Sequence, residues 1–181
     1  EDGSNLAGLH FDKVDVSEDN LLKTLKLPFK QLDVLVLTQG TVEYGQREFE
    51  MESFRRVVDV NLTSVMACCT RFRDMLGKSG GSIVIFGSIA GFNSRKGNPA
   101  YSASKAGVIN LTRTLADAWA RYGIRVNSIA PGLVATKLTT VTTDHPERYN
   151  AQLKLIPMRR AGTPKDMAGP TLFLASEMAG Y

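Results

Sequence analysis

Cysteine is scarce in this chain: the two present, Cys68 and Cys69, are adjacent within a helical pattern. Neighbours on a helix point to different faces, and neither has another thiol to meet. A disulfide framework and a thiolate zinc site are therefore both excluded, no metal is expected, and a reducing compartment is the expected setting. Long hydrophobic runs are lacking too. No apolar stretch approaches the roughly 18 residues of a spanning helix. No secretory leader opens the sequence, whose first residue is Glu1, and the expectation is a cytoplasmic protein with no membrane partner. Charge of one sign never accumulates. The formal net charge is +4, yet the basic residues lie scattered in pairs (Arg71 and Arg73, Arg95 and Lys96, Arg121 and Arg125, Arg159 and Arg160) with no aromatics interleaved. That pattern describes a solvated surface, not a nucleic-acid footprint. Internal repeats and low-complexity linkers are also missing.

What is present fits one α/β domain over 1–181. With 43% hydrophobic and 22% charged residues, the chain has globular composition and enough length for a core. A short strand pattern covers Leu9 to Val16. Ser17 is a suitable N-cap for a brief helix through Leu25, stopped by Pro28. Leu32 to Thr38 is almost continuously apolar, as expected of a strand covered on both faces. Helical periodicity runs from Glu52 to Leu76 (Phe54, Val57, Val58, Leu62, Val65, Met66, Phe72, Met75) and ends in Gly77, Gly80 and Gly81. Ile83–Phe86 and Ile124–Ala130 read as further strands, and a last helix is expected from near Pro164 to Ser176. Strands alternating with helices imply βαβ units and a parallel sheet, whose ligands lie beyond the carboxyl ends of the strands. Thr38–Gly40, Ser88 and Pro131–Gly132 all follow strand ends, so they belong to one edge.

Chemistry concentrates between Ser88 and Lys105. Pro99 marks the entrance of a helix whose apolar positions are Val108, Leu111, Leu115 and Trp119, and Gly123 marks its exit. Tyr101 and Lys105 then stand one turn apart on one face. A phenol titrates near pH 10, about 3 units too high for a neutral-pH proton shuttle, and closing that gap takes about 4 kcal/mol of phenolate stabilisation. An ammonium about 4 Å away supplies roughly that much at an effective dielectric near 20. The helix N-terminus adds about 0.3–1 kcal/mol. Tyrosine and lysine in a first helical turn therefore make a general acid/base, with Ser88, thirteen residues earlier, able to donate to a substrate oxygen. The bland alternative is a surface tyrosine packed on a lysine stem.

This serine, tyrosine and lysine spacing resembles the active site of the short-chain dehydrogenase/reductase family, and the likeness extends over essentially the whole chain. Asn61, in Asp59-Val60-Asn61-Leu62, matches the helix asparagine that completes the family's tetrad and holds a relay water through its backbone. Ile129 to Thr136 resembles the loop over the nicotinamide, implying contacts from Pro131, Gly132, the Val134 backbone and the Thr136 hydroxyl. Asp15 and Val16 match the pair that holds the adenine ring; capping of the following turn by Asp15 is the other reading. The resemblance implies a doubly wound, three-layer Rossmann-like sheet and NAD or NADP as cofactor. It also implies hydride transfer between a nicotinamide and a ketone or secondary alcohol. Tyr101 is then the proton donor and acceptor, Lys105 a partner of Tyr101 and the ribose, and Ser88 with Asn93 the substrate contacts. Helices 52–77 and 100–122 are the faces by which the family forms dimers or tetramers, and 133–160 is the expected substrate lid.

The sequence also departs from the family. Leu37-Thr38-Gln39-Gly40 stands where Asn-Asn-Ala-Gly is usual, so only Gly40 is kept. No glycine-rich phosphate turn follows an opening strand. In the resembling fold two strands lie between 9–16 and 32–38, so the family's strands 1 and 2, and also the last, are missing. These 181 residues are therefore expected to be part of a longer natural chain. Two other functions are compatible with the residues: a degenerate family member acting as an interaction subunit, and an epimerase or dehydratase using the same tyrosine and lysine.

Overall fold

The computed structural model describes residues 8–16, 18 and 24–181. Three β-branched-rich segments supply its sheet: β1 (Val34–Leu37), β2 (Ser82–Phe86) and β3 (Arg125–Ile129). They pair in parallel in the order β1-β2-β3. Leu37 lies opposite Ile85, and Phe86 opposite Ile129. This register brings Thr38, Gly87 and Ala130, the first residues past each strand, to one edge.

Side chains alternate across the pleat. Leu35, Leu37, Ile83 and Ile85 point into the main core, which holds Val65, Cys69, Leu76, Val108, Leu115 and Trp119. Those residues come from two helices, α2 (Ser64–Gly77) and α3 (Pro99–Trp119), and α1 (Met51–Val58) packs against α3. A π-helical turn, Asp59–Thr63, joins α1 to α2 without a break. Pro99 opens α3 at a position where a missing N–H costs nothing, and Gly123, at φ 72°, ends the following 3₁₀ turn in the left-handed region. The α2–α3 layer covers one sheet face, and α6 (Pro164–Ala175) packs against β2 and β3 on the other. Its last turn is anchored from below. Ser82 Oγ and Arg125 Nη1 both donate to Leu174 O at 2.9 Å, and Arg125 Nη2 donates to Ser176 O at 3.1 Å.

The structure revises three expectations. The segment expected as a strand from Leu9 to Val16 is not one, and the described residues show no strand pairing on the outer edge of β1. A segment with no adjacent ladder has nowhere to place its amides as a strand. The helix expected from Ser17 to Leu25 lies almost wholly outside the described residues. The run 32–38 was expected to be covered on both faces, but Val36 is 41% exposed, because α6 packs mainly against β2 and β3. Finally, the stretch 133–160 is more ordered than its polarity suggested, with α4 (Thr140–Thr143) and α5 (Pro146–Leu155) inside it.

Two glycines set how close neighbouring elements come to α3. A Cβ on Gly91 would stand 2.8 Å from the backbone C and O of Lys105, whereas one on Gly107 would meet only the Leu62 side chain, also at 2.8 Å. Backbone cannot yield as a leucine rotamer can. Gly91→Ala is therefore expected to destabilise by about 1–3 kcal/mol, and Gly107→Ala by less, as read by urea unfolding of the two variants side by side.

Candidate active site

The site is built at the carboxyl edge of the sheet from three strand exits. Beyond β1 the chain runs through Gly40 to Thr41, where Asn61 clamps it. Thr41 N–H donates to Asn61 Oδ1 at 2.7 Å, and Asn61 Nδ2 donates back to Thr41 O at 2.9 Å. The same Nδ2 donates to Ser104 Oγ at 3.1 Å, and that hydroxyl donates to Tyr101 O at 2.8 Å. Asn61 is fully buried. Its amide bonds are thus mostly used to tie the β1 exit to the first turns of α3. The π-turn that carries it is the kind of helix irregularity that recurs at functional sites.

Beyond β2, Ser88 takes an extended conformation and is 8% exposed. Its Oγ accepts from Ala90 N–H at 3.1 Å, capping the 3₁₀ turn Ile89–Gly91. That bond orients the hydroxyl and leaves its own proton unassigned among the described residues. Helix α3 follows, and Tyr101 and Lys105 lie one turn apart, with Lys105 Nζ 5.9 Å from the Tyr101 ring centroid. Lys105 is 4% exposed, and its Nζ donates to Phe86 O at 2.8 Å. Burial holds its pKa down at about 8, well below the ordinary lysine value. One side of the amine is occupied by Gly40, where a Cβ would come within 3.5 Å of Nζ. Among the described residues Nζ makes one hydrogen bond, so the group retains donors for another partner.

Beyond β3, the 131–136 loop is pinned to the start of α6. Gly162 N–H donates to Leu133 O and Ala135 N–H to Gly162 O, both at 2.9 Å. In a parallel bridge of this kind the intervening residue, Val134, directs its own N–H and C=O the other way. Its carbonyl accepts from Thr139 Oγ1 at 2.7 Å, and its N–H is left as a donor on the free side. Tyr44, in the loop after β1, reaches across to this region and donates to Leu138 O at 2.9 Å. Burial, and after it the negative end of a neighbouring Tyr101, raise the Tyr44 pKa.

One open cleft of about 800 Å³ connects these parts. Gly40, Ser88, Tyr101, Lys105, Pro131, Gly132, Val134 and Thr136 all border it, which gathers most of the residues anticipated from sequence. The cleft continues down the sheet past Val34 and Val36 to Met167 and Leu172 of α6. Asn61 lies behind this wall as a brace. Asn93 is an exposed residue donating to Ile89 O at 3.4 Å and does not line the cleft. Asp15 and Val16 do not line it either; Val16 packs on the main core. Four participants carried no signal in the sequence: Tyr44, Glu48, and the α6 residues Met167 and Thr171. Ser104 did carry one, since it falls one turn beyond Tyr101 on the helix.

The buried amine with spare donors, the side-chain-free Gly40 beside it and the Val134 N–H, which has no partner among the described residues, suit the polar nicotinamide-ribose end of a dinucleotide. Comparisons with known proteins agree with this construction. A family model described as enoyl-(acyl carrier protein) reductase matches residues 9–181. The 3-oxoacyl-[acyl-carrier-protein] reductase of Synechocystis is 38% identical over 89% of this chain, which covers 64% of that relative. The 2-dehydro-3-deoxy-D-gluconate 5-dehydrogenase of Pseudoalteromonas atlantica is 34% identical over 99% of this chain, covering 72% of it. A gluconate 5-dehydrogenase from Burkholderia cenocepacia, solved with NADP and tartrate, superposes with a TM-score of 0.86 at 26% identity, over 92% of this chain and 68% of that one. The chain therefore belongs to the short-chain dehydrogenase/reductase family, of whose members it spans roughly two thirds.

Proposed function

We propose that the protein is an NAD(P)-dependent oxidoreductase interconverting a ketone or 3-oxoacyl-type carbonyl with a secondary alcohol. The observation that carries this reading is the convergence of Ser88, Tyr101 and the buried Lys105 on one cleft whose opposite wall is the Gly132–Thr136 loop. When bound, the nicotinamide supplies or accepts the hydride. The residues that would hold NAD or NADP are Gly40, Tyr101, Lys105, Pro131, Gly132, Val134 and Thr136, with Asp15 and Val16 toward the adenine. Ser88 donates its hydroxyl proton to the substrate oxygen where negative charge grows. Tyr101 gives that oxygen its proton in reduction and takes it back in oxidation. Lys105 stabilises the phenolate by its charge, and Asn61 holds the β1 exit loop against α3 while its backbone retains a relay water. Asn93 would border the substrate.

The same proposal takes 1–181 as a single domain with 133–160 as the substrate lid. Support for the lid comes from Tyr44, which latches it to the β1 exit, and from the Gly162 bridge that hinges it. It also includes a cytoplasmic homodimer or homotetramer through helices 52–77 and 100–122, supported by the outward-facing Met66, Ala103 and Ala106 on those helices. Saturable fluorescence enhancement of NADH or NADPH by the full-length chain, followed by turnover of a ketone panel, tests the reading. Absence of binding favours an interaction subunit, and binding without ketone turnover favours an epimerase or dehydratase.

Two variants probe the acid/base pair. Tyr101→Phe removes the transferable proton with little change of shape, so turnover is expected to fall about 10²- to 10⁴-fold with the far-UV dichroism unchanged. Wild-type rates from this variant would refute Tyr101 as the acid. Lys105 is predicted to trade stability for chemistry. Its folded pKa of about 8 lies below its ordinary 10.5, so between these values the unfolded chain holds a proton that the folded one has released. Stability from this group therefore rises with pH across that window, and below it the burial cost is present in full. Lys105→Met is expected to stabilise the fold at pH 7 by up to about 3 kcal/mol while abolishing turnover. Urea unfolding of both proteins at pH 7 and pH 10 should show the gap closing at the higher pH.

A further inference from the structure

Glu48 lies in the 3₁₀ turn Arg47–Phe49, between β1 and α1, and is 0% exposed. Its carboxylate joins two pieces of the cleft. Oε2 accepts from the Tyr101 backbone N–H at 2.9 Å. Oε1 accepts from the Glu43 N–H at 3.0 Å and from Asn98 Nδ2 at 3.3 Å, and the Asn98 amide also donates to Glu43 O at 2.9 Å. Glu43 itself is paired with Arg56 at 2.6 Å and Arg47 at 3.3 Å. Among the described residues Glu48 has no cation partner; its bonds are all to N–H donors.

This arrangement is costly by local standards. Tyr101 is the third residue of α3, so its N–H is one of the four that the helix cannot satisfy itself. The residue before a helix commonly caps such a group. Here Asn98 makes no side-chain bond to the helix and turns toward the 43–48 loop instead. The cap comes from a residue 53 positions away in sequence, and a carboxyl group must be buried to supply it. A serine at position 98 would serve the helix alone. Two oxygens facing opposite ways do something a local cap cannot, because they fix the turn bearing Tyr101 to the loop bearing Tyr44. Tyr101 lines the cleft, and Tyr44 donates to the carbonyl of Leu138, which lines it too.

We propose that Glu48 is a positioning residue for the reaction, setting the Tyr101 phenol relative to Ser88 by holding the first turn of α3 against the 43–48 loop. The inference rests on Tyr101 being the acid/base. Glutamine at this position keeps the shape but presents an NH₂ to donors on one side, so one of the two ties is lost. Alanine loses both.

The test uses the full-length chain with Glu48→Gln and Glu48→Ala. Amide hydrogen exchange at Tyr101, steady-state kcat and KM for a ketone, and the Kd of NADPH are measured together. In Glu48→Ala the Tyr101 amide is expected to exchange about tenfold faster. Its kcat should fall about 10²-fold, with substrate KM and NADPH Kd within about twofold of wild type. Glu48→Gln, the variant safer for folding, should fall between wild type and alanine in kcat with the same unchanged KM. Unaltered exchange at Tyr101 would overturn the link itself. Faster exchange with unchanged kcat, or a kcat loss matched by equal losses in KM and cofactor affinity, would overturn the positioning role. A wild-type protein that binds NADPH but turns over no ketone would instead bring down the acid/base reading, while the exchange measurement still decides whether Glu48 holds the turn.

Discussion

Everything at this site depends on a desolvated ammonium. Lys105 points from the second turn of α3 into the end of the sheet, where Phe86 O receives one of its protons and Gly40 leaves it room. Burial strips water from this charge and lowers its pKa toward neutrality, to about 8. The protein accepts that cost because α3 and β2 are firm. Their helix–strand layer is packed on Ile83, Ile85, Val108 and Leu115, so the amine cannot withdraw into solvent.

Around that charge the polar side chains act mainly as braces. Asn61 spends both ends of its amide on Thr41 and reaches Tyr101 O through Ser104. Glu48 reaches Tyr101 N–H from the other side. The backbone of the residue bearing the phenol is therefore held at its donor by Glu48, remote in sequence, and at its acceptor by Ser104 of the same helix, which Asn61 braces in turn. The helix N-terminus, which local reasoning assigns to stabilising the phenolate, faces the Glu48 carboxylate in the folded protein. The electrostatic burden falls correspondingly on Lys105.

Legibility from sequence differed from part to part for physical reasons. The strands at 34–37, 82–86 and 125–129 and the helices from 51, 99 and 164 are strongly periodic or apolar, so pattern alone locates them within a residue or two. Leu9–Val16 has the composition of a strand, yet a strand exists only with a neighbour, and none is adjacent among the described residues. The stretch 133–160 looked like loop because threonine and charged residues dominate it, although short helices need only a few capped turns.

Sequence by itself determined the local pattern: a serine, a tyrosine and a lysine at spacings that a strand, a turn and a helix bring to one cleft, together with the parallel sheet that aligns their strand ends. Those are local or periodic properties, written in neighbouring residues. Tertiary structure alone decided how strongly the amine is desolvated, which way the Val134 amide points, and that Glu48, an unremarkable glutamate in a polar loop, is buried against the helix bearing the phenol. Each of these arises from groups on different elements, in the case of Glu48 and Tyr101 53 positions apart, and burial and hydrogen-bond direction are properties of the packed chain, not of any segment within it.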